Sequence, residues 1–122
     1  MTEEIIQEII EKKPVWQELG LDQKTLELVS KAGYLDPTPV QAAAIPVALQ
    51  GRDLIVSAQT GTGKTASFVL PMIERFRGRR GSYGLILAPT REIAQQINAT
   101  LDVFAKPAGL TSVVLIGGID MG

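Results

Sequence analysis

The stretch Asp53-Leu54-Ile55-Val56-Ser57-Ala58-Gln59-Thr60-Gly61-Thr62-Gly63-Lys64-Thr65-Ala66-Ser67-Phe68-Val69 decides the fold. Its opening apolar run reads as a buried strand, expected over Asp53–Ser57. Ala66, Phe68, Val69, Met72, Ile73 and Phe76 recur at helical spacing, which predicts a helix from Lys64 to about Arg77. A strand, a glycine-rich loop, Lys-Thr and a helix in that order make a P-loop over Ala58–Thr65. Gly61 and Gly63 can take backbone angles closed to other residues and let a ligand approach the main chain. Successive N–H groups then converge on an anion at the positive end of the helix. Lys64 can reach the outer phosphates, and the Thr65 hydroxyl can ligate Mg²⁺. Ala58 stands where the usual pattern opens with glycine; both are small, so the turn is retained. The alternative, a glycine-rich turn with an exposed lysine, does not account for the matching context on both sides.

Outward from this loop, helices and strands alternate. Thr2 caps a first helix carrying Ile5, Ile6, Ile9 and Ile10, which Pro14 ends; this face packs on the domain or meets a partner. Asp22 caps a second helix through Leu26 and Val29 that ends at Gly33. Thr38 and Pro39 start a third, with Val40, Ala43, Ala44 and Val47 inward, a bend at Pro46 and an end at Gly51. The P-loop helix is expected to kink at Pro71. Tyr83–Ala88 reads as a second strand. Thr90 caps a helix whose Ile93, Ile97, Leu101 and Phe104 share one face, and Thr111–Ile116 reads as a third strand before Gly117-Gly118. The alternation predicts an α/β fold with a parallel sheet flanked by helices.

Composition narrows the classes of chemistry. The 122 residues carry 12 Lys and Arg against 13 Asp and Glu, so no global basic field announces nucleic acid. The local cluster Arg75, Arg77, Arg79 and Arg80 is read as a solvated helix end or a weak phosphate-backbone contact. No cysteine and no histidine are present, which excludes disulfides, Cys-based zinc sites and histidine acid–base chemistry. No apolar run is long enough for a membrane span, and Met1-Thr2-Glu3-Glu4 is acidic where a signal peptide would be basic; the expectation is a cytosolic protein.

Four further stretches sharpen the reading: Trp16; Gly33-Tyr34-Leu35-Asp36-Pro37-Thr38-Pro39-Val40-Gln41; Pro89-Thr90-Arg91-Glu92-Ile93-Ala94; and Gly117-Gly118. From their residues alone, Gln41 is either an adenine reader or the far half of a capping box with Thr38, and Trp16 is either a stacking platform or a core residue. Thr90 is either a phosphate ligand or a helix cap. The ordered set, from Trp16 to the end of the chain, resembles the N-terminal part of a DEAD-box ATP-dependent RNA helicase.

The resemblance implies a P-loop NTPase of the RecA-like kind, with ATP or ADP and Mg²⁺ as cofactors. It implies adenine selection by Gln41 of the Q motif, and an adenine ring packed on Trp16, an upstream aromatic usually filled by phenylalanine. It implies phosphate binding by Ala58, Gln59, Thr60, Gly61, Thr62, Gly63, Lys64 and Thr65, with Lys64 and Thr65 as the catalytic pair and Thr65 on the metal. It implies a grip on the RNA backbone by Pro89, Thr90, Arg91, Gly117 and Gly118. Residues 1–38 are then an N-terminal helical extension that carries the upstream aromatic and the start of the Q motif. Residues 39–122 are part of a RecA-like ATP-binding domain.

The family's Asp-Glu-Ala-Asp run, its Ser-Ala-Thr motif and its second RecA-like domain are absent from these residues. Downstream of Thr65 the acids are Glu74, Glu92, Asp102 and Asp120, and none closes an apolar strand as a metal- and water-positioning acid does. The expectation is a fragment: the N-terminal ATP-binding portion of an RNA helicase, inactive alone. The alternatives are a non-catalytic adenine-nucleotide and RNA-binding piece, or another P-loop enzyme such as a nucleotide kinase, which has no reason to carry all four stretches. Open sheet edges make a dimer or domain swap a further expectation.

Overall fold

The computed structural model describes residues 2–5, 13–59, 61, 63–81 and 83–117. Among them are a 3-10 turn at Trp16–Glu18 and four longer helices: α1 (Gln23–Lys31), α2 (Pro39–Leu49), α3 (Lys64–Phe76) and α4 (Arg91–Ala105). Of the expected first helix, residues 3–5 are helical and the Thr2 hydroxyl accepts the Ile5 N–H; Ile6, Ile9 and Ile10 lie outside the described residues. The other caps form where the sequence places them. Asp22 accepts the Thr25 N–H at 2.8 Å, Thr38 the Gln41 N–H at 3.3 Å and Thr90 the Ile93 N–H at 3.2 Å. Pro46 and Pro71 both sit inside continuous helices.

Helix α3 packs against α1, α2 and α4. Its Ala66, Val69, Leu70 and Ile73 meet Val29 of α1, Ile45 of α2, Phe104 of α4, and Trp16, Leu19 and Leu21 from the upstream segment in one buried cluster. Burying each of the larger side chains contributes roughly 1.5–3 kcal/mol relative to exposure. The inward face of α2 differs from expectation: Gln41, Ala44 and Ile45 are buried, whereas Ala43 is exposed. Gln41 is held inward by its bonds with the Thr38 N–H and the Gly63 carbonyl.

The three expected strands are not paired. Residues 53–57, 83–88 and 111–116 carry no strand assignment, and their apolar side chains are largely uncovered: Ile55, Leu85, Leu87, Val113 and Leu115 are exposed. Residues 83–88 and 111–117 line one open cavity of about 920 Å³ together with Met72, Phe76 and Leu101 of the helices. The parallel sheet is therefore an inference from pattern, and the helical layer is the part that is formed. Gly84 seats its segment on that layer, since a Cβ there would lie 2.3 Å from Met72 Cε.

A polar clasp holds the start of α1 to the end of α3. Arg77 Nη1 donates to Asp22 Oδ1 and Oδ2 at 3.0 and 2.9 Å, its Nη2 donates to Thr25 Oγ1 at 2.9 Å, and Glu74 accepts the Asp22 N–H. Burial pushes the Asp22 carboxyl up, but the Thr25 N–H and the Arg77 guanidinium outweigh it and hold the group below its ordinary 3.8. A carboxyl with a lowered folded-state value contributes stability that is present above its unfolded value and lost as pH falls through the folded one. Asp22→Ala is expected to cost about 0.5–2 kcal/mol through the lost cap. Its thermal midpoint should also fall less than the parent's on acidification below 3.8, measured by thermal melts across pH.

Candidate functional site

The P-loop lies between the exposed run 54–56 and the first turn of α3. Gly61 and Gly63 both adopt the left-handed conformation, with φ of +85° and +80°. Thr60 and Thr62 lie outside the described residues. Ala58 is half-buried and Gln59 exposed. Gly63 is the N-cap of α3 and, having no side chain, supplies no cap; α1, α2 and α4 all have one. The cap residue of α3 thus supplies no side-chain acceptor to the first N–H groups, at the helix start where an anion is expected. Lys64 opens the helix with an exposed side chain, and Thr65 follows it half-buried. Behind them Ser67 is buried and donates to the Lys64 carbonyl.

Gln41 meets this loop. Its Oε1 accepts the Thr38 N–H at 2.9 Å while Thr38 Oγ1 accepts the Gln41 N–H, completing the capping box. Its Nε2 also donates to the Gly63 carbonyl at 3.2 Å, and only 2% of the residue is exposed. A Cβ on Gly63 would stand 2.3 Å from that nitrogen. The capping reading is therefore realised, with an addition that the capping-box spacing does not signal: the amide ties α2 to the phosphate loop. Among the described residues, one N–H and one lone pair of the amide are unspent.

Trp16 is 4% exposed within the core cluster. Its ring lies 6.2 Å from Tyr34, which meets Phe104 edge-on at 5.4 Å. The buried indole N–H has no hydrogen-bond partner among the described residues. Thr90 caps α4 through its hydroxyl, and Pro89 and Arg91 are exposed beside it. Gly117 is exposed with open space around it, and Gly118 lies outside the described residues.

The arginine cluster divides. Arg77 is taken up by Asp22 and Thr25 and is no free phosphate contact, whereas Arg75, Arg79 and Arg80 are exposed. Among the downstream acids, Glu74 joins the clasp. Asp102 accepts from Ser112 Oγ at 3.1 Å and pairs with Lys106 at 3.8 Å. No group of three or more acidic residues that could hold a metal occurs among the described residues. Nor is any described helix long and apolar enough to cross a membrane.

The family profile of the DEAD/DEAH box helicases matches residues 38–122, from the capping threonine of α2 to the end of the chain. The chain belongs to the DEAD/DEAH box helicase family. It is 50% identical over 114 residues to the pre-mRNA-splicing ATP-dependent RNA helicase prp28 of Aspergillus clavatus, covering 84% of this chain and 14% of that protein. It is 47% identical over 112 residues to prp-28 of Neurospora crassa, covering 84% of this chain and 15% of that one. Among solved structures, the RNA helicase Prp28 of Chaetomium thermophilum, crystallised with ADP, superposes with a TM-score of 0.78 at 49% identity. That match covers 88% of this chain and 28% of the other. The neighbour is a DEAD-box helicase, so the likeness supports a RecA-like arrangement for the helical layer and the P-loop.

Proposed function

We propose that this chain is an adenine-nucleotide-binding portion of an ATP-dependent RNA helicase. The carrying observation is the bond from Gln41 Nε2 to the Gly63 carbonyl. It puts the one side-chain amide suited to adenine in direct contact with the loop suited to phosphates. The unspent N–H and lone pair of Gln41 match N7 and the amino group of adenine, while guanine presents an acceptor where adenine has its donor. The relatives named as ATP-dependent helicases, and the solved neighbour holding ADP, support the same ligand class.

In this reading Ala58, Gln59, Thr60, Gly61, Thr62 and Gly63 wrap the phosphates. Lys64 reaches the outer ones; Trp16, buried in the core, has no free face for the base. The Thr65 hydroxyl is a hard oxygen donor in the first turn of α3 and fits Mg²⁺ as one ligand among nucleotide oxygens and water. When bound, the metal would neutralise phosphate charge; the chain's own part is to hold and orient the nucleotide. Pro89, Thr90, Arg91, Gly117 and Gly118 would meet the RNA backbone at the start of α4 and after the third extended run. Because the chain spans about 14% of the relatives' length, strand separation and turnover are proposed for a longer protein. A second copy paired on open edges gains no support from the relatives or the neighbour and is not part of the proposal. As to setting, the cytosolic expectation rests on sequence alone, whereas the relatives are named for pre-mRNA splicing.

Calorimetric titration tests the base assignment. Gln41→Ala should weaken ATP more than GTP, by a further factor of about 5 to 150, the worth of a bidentate base contact of roughly 1–3 kcal/mol. Equal losses for both would confine Gln41 to the cap and the Gly63 carbonyl.

A further inference from the structure

The last turn of α3 and the loop after it carry arginines outside the Arg77 clasp. Arg75, Arg79 and Arg80 are exposed, and so is Arg52, which follows the end of α2. Arg75 Nη1 lies 3.8 Å from the place a Cβ would take on Gly51, so the end of α2 abuts the end of α3 and brings Arg52 into the group. The Arg79 N–H bonds to the Phe76 carbonyl at 3.0 Å, which turns the loop back on the helix end. Among the described residues none of the four pairs with a carboxylate; the ion pairs there join Arg77 to Asp22 and Lys106 to Asp102. Of the acids beside them in sequence, Glu74 accepts the Asp22 N–H and Asp53 is exposed. Four guanidiniums with so little counter-charge raise the local potential and attract a polyanion.

A solvated helix end accounts for the arginines but not for Tyr83. That ring is 89% exposed and meets no other ring among the described residues. Gly84 beside it is pressed on the end of α3, where a Cβ would lie 2.9 Å from Phe76 Cε2, so Tyr83 stands next to the arginines. Guanidiniums for phosphates together with an aromatic face for a base are the combination that holds a single strand. An acidic peptide would use the charges and leave the ring idle. The 13 residues of α3 span about 20 Å, which separates this patch from the P-loop at the other end.

We propose that Arg52, Arg75, Arg79, Arg80 and Tyr83 form a second contact for single-stranded RNA, apart from the one at the start of α4. The guanidiniums take backbone phosphates and the Tyr83 ring takes a base. That the strand is RNA rests on the helicase reading; the placing of the patch does not.

The experiment follows the anisotropy of a labelled oligouridine on the 122-residue chain at several salt concentrations. Arg79→Gln with Arg80→Gln should flatten the log–log salt slope by about 1.4, at ~0.7 for each phosphate contact on a single strand. Tyr83→Ala should lower affinity by a factor of about 5 to 150 and leave the slope at the parent value. Arg52→Gln with Arg75→Gln, on the other side of the patch, should flatten the slope as the first pair does. This second pair keeps the test open if the first disturbs the fold, which the emission of Trp16, the single tryptophan, reports. Arg91→Ala should weaken binding on its own and leave the Tyr83→Ala loss in place, so the two contacts fail separately. The proposal is overturned if both arginine pairs keep the parent slope, or if Tyr83→Ala keeps the parent affinity. A labelled oligoglutamate of equal length that binds more tightly than the oligouridine would also overturn it and give the patch to an acidic protein segment.

Discussion

Gly63→Ala should remove most ATP affinity, and Gly61→Ala should not. Both glycines sit at positive φ, where a Cβ costs roughly 1–2 kcal/mol. Only at Gly63 does a second cost arise. The added methyl would lie 2.3 Å from Gln41 Nε2 and 3.0 Å from its Cδ. Gln41 cannot swing aside cheaply, because it is buried and its Oε1 is held by the Thr38 N–H. Relief must come from breaking the capping box or from moving the loop carbonyl, and either leaves a buried polar group without its partner, at roughly 1–3 kcal/mol. The two costs together are roughly 2–5 kcal/mol, a factor of about 30 to several thousand. Around Gly61 there is open space, so the backbone cost stands alone. Titrating ATP into both variants checks the difference; equal losses would mean that the Gln41 contact does not shape the loop.

The 122-residue chain by itself should turn over no ATP, with or without RNA. Phosphoryl transfer to water requires that metal, water and a group stabilising the developing charge all be positioned. The P-loop supplies a cradle, Lys64 and Thr65. Glu74 is spent on Asp22, and Asp102 on Ser112 and Lys106, so neither is placed to orient water at the loop. No arginine is shown reaching the P-loop either: Arg77 is bound at the far end of α3. Absence of such an arginine alone costs a factor of roughly 10³–10⁵. Phosphate release measured on purified chain should match a Lys64→Ala control. RNA-stimulated release abolished by Lys64→Ala would show that another acid, Glu92 or Asp120, stands in.

Legibility followed the range of the interactions. Caps were readable because donor and acceptor lie three residues apart: Asp22 with Thr25, Thr38 with Gln41, Thr90 with Ile93. The P-loop was readable because its glycines, lysine and helix are contiguous. The face of α4 is readable in part, since burial is complete at Phe104 but only partial at Ile93, which is 36% exposed. The strands were legible as extended runs and not as a sheet, because pairing depends on neighbours that local pattern does not name. The arginine cluster departs from a solvated helix end at Arg77, whose partners Asp22 and Thr25 lie 55 and 52 residues away with no local signal. The alternatives posed for Gln41 were incomplete for the same reason. Its contact with Gly63, 22 residues on, adds to the cap that the spacing signals.

Nucleotide binding at Gly63–Thr65, with Lys64 on the phosphates, is tested most directly by one calorimetric titration. ATP with Mg²⁺ should bind the chain with a one-to-one stoichiometry, and Lys64→Ala should lose at least tenfold in affinity, about the 1.4 kcal/mol of a single charge-assisted contact. No heat of binding to the parent chain, or the same affinity in both proteins, would contradict it.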